Sequence, residues 1–258
     1  MKLGISTSSL YPMPTEQALS LLVEQNVETV EIFFNAFCEL EPDFLTQLKE
    51  ILRRGDTQVL SVHPFTCTME PMLFFGDYDR RFDDGIAMYR KYFAAAETLG
   101  AKYLVLHGDR GGSLLPQEEH FERFSRLAVI GREYGVTLAQ ENVARCRSGR
   151  LDFLLEMKRA LGEDAAFVLD LKQARRANED ATHMLTSLGD SVKHIHISDG
   201  DAQHDCQNIG AGATDFAAFF STLRRMNYDG GVLLELYRHN YGDISEFFDG
   251  YRALTAHR

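Results

Sequence analysis

Eight short apolar runs recur along this chain, and their spacing constrains the fold more than any other feature. They cover residues 2–6, 29–33, 58–62, 102–106, 136–140, 166–169, 192–197 and 232–236, with starts 26 to 44 residues apart. Most are continuously apolar rather than alternating, as parallel strands covered on both faces are. Amphipathic stretches with helix punctuation lie between them. Pro14 and Thr15 open one helix, residues 79–99 carry apolar side chains at helical spacing with Gly100 just beyond, and residues 117–134 stop likewise at Gly135. Eight strands alternating with eight helices in about 250 residues is the rhythm of an α/β closed parallel barrel. The expectation is a single (β/α)8 TIM barrel forming one domain over 1–258. A doubly wound open sheet would carry a glycine-rich phosphate turn after its first strand. The segment there is Ser6-Thr7-Ser8-Ser9.

Composition narrows the function classes. With 45% hydrophobic and 11% aromatic residues the chain can bury a full core, which excludes a disordered segment. No apolar run approaches the roughly 20 residues needed to span a bilayer, and the first residues lack the apolar stretch of a secretory signal. Cys38, Cys67, Cys146 and Cys206 are scattered without a C-x-x-C pair, which fits a reduced, cytoplasmic protein. The net charge of -11 argues against a broad nucleic-acid-binding face.

In such a barrel, active-site residues sit at the C-terminal ends of the strands. Ionisable residues collect there. The second run carries Glu31; His63 follows the third and His107 the fourth; the fifth ends in Glu141-Asn142 and the sixth in Asp170. The seventh carries His194 and His196 with Asp199 beyond, and the eighth carries Glu235. Glu31 alone reads as a residue that satisfies neighbouring donors. His194 and His196, two apart, point to the same side, and only one needs to reach the mouth. The other is expected to be a deeper, hydrogen-bonded core histidine. His120, His183, His239 and His257 read as surface residues. Gly108, Gly111 and Gly112 read as a tight turn.

Like charges gathered in one mouth repel unless a cation or protons intervene. Glu141, Asp170 and Glu235 with one imidazole make an O,O,O,N set suited to one divalent metal ion, Mn, Mg, Co or Zn. No G-x-S-x-G elbow supports nucleophilic serine chemistry. Arg110, Arg145, Lys172 and Arg238 follow strand ends, where they would clamp a phosphate or pair with the surplus carboxylates.

The ordered segments VHPF, LHGDRGG, QEN, LDLKQA, HIHISD and LLE resemble the xylose isomerase-like barrel superfamily, from Met1 to about Glu246. That group holds sugar and sugar-phosphate isomerases and epimerases, inosose dehydratase-type enzymes and the endonuclease IV repair nucleases. The resemblance implies Glu141, Asp170, His196 and Glu235 as metal ligands, His196 being favoured by the H-x-x-D spacing to Asp199. It implies Glu141 and Glu235 as the catalytic proton carriers, acting through a metal-stabilised enediolate on a small sugar, sugar phosphate or related polyol or keto compound. His63, His107, Lys172, Gln173, Arg110 and Arg238 would contact that substrate. The family's strand 6 motif often reads D-x-x-H, and Gln173 stands at the histidine position. An amide is a poor zinc ligand, which weighs against a three-zinc nuclease. A dehydratase-type lyase and a catalytically silent binding barrel are the remaining readings. Members of this group often form homo-oligomers.

Overall fold

All eight runs form strands in a computed structural model that describes residues 1–258. They are β1 (Lys2–Ser6), β2 (Thr29–Phe34), β3 (Gln58–Pro64), β4 (Tyr103–Leu106), β5 (Thr137–Glu141), β6 (Phe167–Asp170), β7 (Val192–Ile197) and β8 (Gly231–Leu234). Each pairs in parallel with its sequence neighbour, and β8 closes on β1 through Leu3↔Val232. Closure leaves no free sheet edge. Two register shifts interrupt the ladders, at Val30/Glu31 between β2 and β3 and at Phe167/Val168 between β6 and β7.

Ten helices surround the barrel where eight were expected: α1 (Thr15–Glu24), α2 (Pro42–Leu52), α3 (Glu70–Leu73), α4 (Asp79–Leu99), α5 (Gln117–Glu133), α6 (Leu151–Leu161), α7 (Leu171–Arg176), α8 (Ala181–Leu188), α9 (Phe216–Arg225) and α10 (Ile244–Thr255). The additional pair has local causes. α3 is a short turn of helix on the way from β3 to α4. The β6–β7 connection splits because Asp170 caps α7 through the Gln173 N–H, Asn178 turns left-handed, and Asp180 then caps α8 through the His183 N–H. α4 and α5 stop at Gly100 and Gly135, both at positive φ, as their sequence punctuation predicts.

Most apolar side chains pack between the barrel wall and the helices, in one cluster of 65 buried residues. A separate group of four, Val105, Ala139, Ala166 and Val168, is cut off from it by the barrel wall. The strand period of two then dictates what stands next on the same side. Moving toward the C-terminal end, Val105 leads to His107, Ala139 to Glu141 and Val168 to Asp170. A small apolar plug is followed by a polar layer.

His120 departs from its expected surface position. It lies buried on α5, stacked on Phe75 with ring centroids 4.3 Å apart and planes at 13°, and neither ring nitrogen has a partner. Its helix turns that position inward, where burial pushes the imidazole pKa down to about 3 and keeps the ring neutral. The four cysteines are free thiols, and no helix is long and apolar enough to cross a membrane.

Candidate metal centre and active site

Glu141 and Asp170 close β5 and β6, His196 stands one residue before the end of β7, and Glu235 follows β8 directly. The Glu235 N–H donates to Ile197 O at 3.1 Å, so the ladder still holds it. Asn142 fastens the first two ligand positions together. Its Nδ2 donates to Asp170 O at 3.0 Å, and its Oδ1 accepts the Asp170 N–H at 2.6 Å.

Three carboxylates meet one imidazole nitrogen. His196 Nδ1 lies 3.4 Å from Glu235 Oε2, 3.6 Å from Glu141 Oε1 and 4.0 Å from Asp170 Oδ2, and it has no hydrogen-bond partner. One donor atom from each of the four residues lies within 4.8 Å of the others. Ligands about 2.1 Å from a tetrahedral ion stand about 3.4 Å from one another, so this spacing suits a shared cation. The charges agree. Three carboxylates carry -3, and buried Lys172 returns +1 by placing Nζ 2.9 Å from Asp170 Oδ2 and 2.8 Å from Glu235 Oε2. The formal remainder is -2, which one divalent cation neutralises. The residues fit a metal.

Protonation follows the surroundings. Burial favours the neutral acid at Glu141, but His107 and His196 overcome it and hold the carboxyl well below its ordinary range. At Glu235 burial is likewise overcome, by Lys172 and His196, and the pKa falls to about 2. Asp170 is lifted to about 6 by burial; Lys172 opposes the lift, and Glu235 and Glu141 add to it. Burial alone would lower Lys172, yet Asp170 and Glu235 hold its ammonium well above the usual lysine value.

A second group shares Glu141. His107 Nε2 lies 2.8 Å from Glu141 Oε2 and 3.1 Å from His63 Nε2, with His63 Nε2 3.6 Å from the same carboxylate oxygen. The hydrogen bonds assign the ring protons. His63 Nδ1 faces Pro64 O at 3.1 Å and so carries a proton. Arg145 Nη2 donates to His107 Nδ1 at 3.2 Å, which leaves the His107 proton on Nε2, where it donates to His63 Nε2. Phe33 stacks on His63, with centroids 4.8 Å apart.

Above these residues opens a cavity of about 390 Å³, walled by Tyr11, Phe33, Thr68, Arg145 and Tyr237, with Glu141, His107, Lys172 and Glu235 also on its lining. A wider cleft of about 620 Å³ lies between α4 and α5 around Asp83, Glu118 and Arg126, away from the strand ends. It gathers carboxylates and two arginines but no imidazole, so the chemistry belongs to the barrel mouth.

Of the residues the sequence singles out, Glu141, Asp170, His196, Glu235, His63, His107, Lys172 and Gln173 come together. Arg110 and Arg238 do not. Arg238 turns away to donate from Nη1 to Tyr241 O and Gly242 O, and the Arg110 side chain is exposed outside the cavity. His194 is fully buried, but its nitrogens have no hydrogen-bond partner; the nearest acceptor, Glu31 Oε2, stands at 3.6 Å. Burial and the neighbouring His196 push it down to about 3. Asp199 is not a ligand, since its two oxygens accept the N–H groups of Gly200, Gly210, Gly212 and Thr214. Ser8 was missed. It donates to Glu235 Oε1 at 3.2 Å, and its signal was the run of four hydroxyls ending β1. Ser9 and Thr7 in that run accept the N–H groups of Leu236 and Phe33.

A parallel barrel with acids and imidazoles converging at the strand ends defines a class of site. Residues 19–256 match the family model described as xylose isomerase-like TIM barrel, and the chain belongs to that family. Fructoselysine 3-epimerase of Escherichia coli O157:H7 is 21% identical over 249 residues, 92% of this chain and 90% of its own. A solved D-tagatose 3-epimerase-like protein superposes with TM-score 0.83 at 20% identity, covering 100% of this chain and 97% of its own. The IOLI protein, solved with a bound zinc atom, superposes with TM-score 0.75 at 19% identity, covering 100% and 96%. At these identities the structural likenesses establish the fold.

Proposed function

We propose that this chain is a divalent-metal-dependent isomerase or epimerase of a small carbohydrate, whether a sugar, a sugar phosphate or a related polyol or keto compound. One observation carries the reading. Glu141 and Glu235, both held ionised, converge with Asp170 on the single nitrogen His196 Nδ1 beside a cavity of about 390 Å³. The epimerase relatives support the substrate class, and the zinc of the IOLI protein supports a metal. Glu141, Asp170, His196 and Glu235 would hold the ion. When bound, Mn, Mg, Co or Zn supplies Lewis acidity to the substrate's carbonyl and hydroxyl oxygens.

Proton transfer falls to the chain's own carboxylates. One of Glu141 and Glu235 removes the proton on the carbon beside the carbonyl. The other, ionised at rest, first takes a proton from solvent and then delivers it, to the opposite face of that carbon in an epimerase or to the neighbouring carbon in an isomerase, while the first returns its proton to solvent. Lys172 and Ser8 donate to Glu235, and His107 Nε2 stands 2.8 Å from Glu141 Oε2. Gln173 Oε1 accepts the Ala144 N–H at 3.1 Å, so its amide nitrogen is left to donate to a substrate hydroxyl. Arg145 is the cation best placed to meet a phosphate. Gln173 and the saturated oxygens of Asp199 weigh against the three-metal nuclease.

The test incubates ketoses and ketose phosphates with the protein and each metal in deuterated water. Solvent deuterium is expected at one carbon beside the carbonyl, together with an epimer or isomer. Replacing Glu141 or Glu235 by Gln should slow exchange about a hundredfold or more, the usual worth of a positioned acid or base. Metal content by mass spectrometry should be one equivalent per chain and should fall in Glu235→Gln. Exchange that survives both substitutions would refute the assignment, and a dehydrated product would make the enzyme a lyase.

A further inference from the structure

His196 has two ring nitrogens and two different surroundings. Nδ1 faces the three carboxylates, while Nε2 lies 3.1 Å from Glu31 Oε2. Glu31 is fully buried in β2. Ser6 Oγ donates to its Oε1 at 2.9 Å, and Ser61 Oγ donates to its Oε2 at 2.8 Å. Every neighbour within bonding distance is a donor, so the carboxyl stays ionised in the barrel interior.

The backbone is built to allow this. Across β1–β2 the register sets Ser6 opposite Glu31. Across β2–β3 it runs Val30↔Val59 and then Glu31↔Ser61, skipping Leu60. Without that shift Glu31 would face a leucine. The irregularity supplies its second hydroxyl and leaves Oε2 able to reach His196 as well.

We infer that Glu31 is a positioning residue for the metal centre: it fixes the His196 ring and accepts a hydrogen bond from the Nε2 N–H, so that the Nδ1 lone pair is the one offered to the ion. This rests on the metal reading proposed above. The physical reason is short. A lone pair on Nε2 would point at a carboxylate oxygen, whereas an N–H there bonds to it, and a neutral imidazole with its proton on Nε2 has its lone pair on Nδ1.

The experiment measures zinc dissociation constants by chelator competition for wild type, Glu31→Gln and Glu31→Met, with ¹⁵N NMR of the histidine rings in the zinc-loaded proteins. Wild type should show His196 with zinc on Nδ1 and a proton on Nε2. Glu31→Met removes the acceptor and should weaken zinc binding about tenfold to a hundredfold, the usual effect of losing such a partner. Glu31→Gln keeps an acceptor oxygen at nearly the same volume. It should bind zinc with intermediate affinity, keep the Nδ1 linkage and shift the Nε2 resonance; if Glu31→Met does not fold, this variant carries the test. Zinc affinities and His196 resonances indistinguishable from wild type would overturn the inference, as would zinc on Nε2. A wild type that binds no zinc overturns the metal reading itself, and that result is seen before any variant is compared.

Discussion

Lys172→Met is the perturbation that most directly probes the charge balance of the mouth. The lysine is buried, and its Nζ sits 2.9 and 2.8 Å from two carboxylate oxygens. At an effective dielectric of 20, each contact is worth about 6 kcal/mol of attraction. Desolvating the ammonium costs several kcal/mol, so the net loss on removing one buried partner is about 3–5 kcal/mol. Methionine fills much of the space, so little of that loss is cavity. In a chain of this size, about 2–4 °C accompanies each kcal/mol, and the metal-free variant should melt roughly 6–20 °C below wild type. Divalent metal should then restore more stability to the variant than to wild type, because the uncompensated remainder is -3 rather than -2. Asp170, already lifted to about 6 with Lys172 beside it, rises further without the ammonium and relieves the excess charge by taking a proton, so the penalty should shrink as pH falls toward 6 and stay small below it. Thermal melts with and without zinc, at pH 7.5 and 5, read all three effects. A metal-free variant as stable as wild type at pH 7.5, or equal stabilisation of both by zinc, would refute the charge balance.

Two other outcomes follow from the structure. The buried His120, held near 3 against about 6.5 when unfolded, opposes acid: its contribution to stability is intact above pH 6.5 and is lost as pH falls from there toward 3, because only the unfolded chain takes the proton. His120→Phe should therefore gain about 2 kcal/mol over wild type between pH 7 and pH 5, in denaturant titrations at the two values; equal acid sensitivity would contradict the buried neutral ring. Asn142→Ala deletes both hydrogen bonds that tie Asp170 to the end of β5 and should cost about 2–3 kcal/mol with a measurable loss of zinc affinity. Unchanged zinc binding would mean that the Glu141–Asp170 spacing survives without this clasp.

The barrel was legible because its signals are local. Continuous apolar runs, helix stops at Gly100 and Gly135, and chain order are all written within a few residues of where they act, and strands in a parallel barrel pair with their sequence neighbours. The same locality exposed the candidate site, since the period of two carries Ala139 to Glu141 and Val168 to Asp170 on one side. It misjudged elements whose environment is set from a distance. His120 was read as surface because one turn of α5 does not reveal that Phe75 and Phe153 close over it. Nor does anything near Arg238 in sequence show that its guanidinium donates to the Tyr241 and Gly242 carbonyls.

What the sequence determined by itself, then, is the order of the elements and the set of acids and imidazoles at the strand ends, because both follow from periodicity along one chain. What only the tertiary structure decided is which atoms of that set face one another. It is Nδ1 of His196 that meets the carboxylates, Lys172 sits between Asp170 and Glu235, and a register shift at Val30/Glu31 brings Ser61 to Glu31. These facts join residues up to 63 positions apart, and Glu31 meets His196 across 165. Side-chain direction at that range is fixed by barrel closure, strand register and packing, which no segment carries alone.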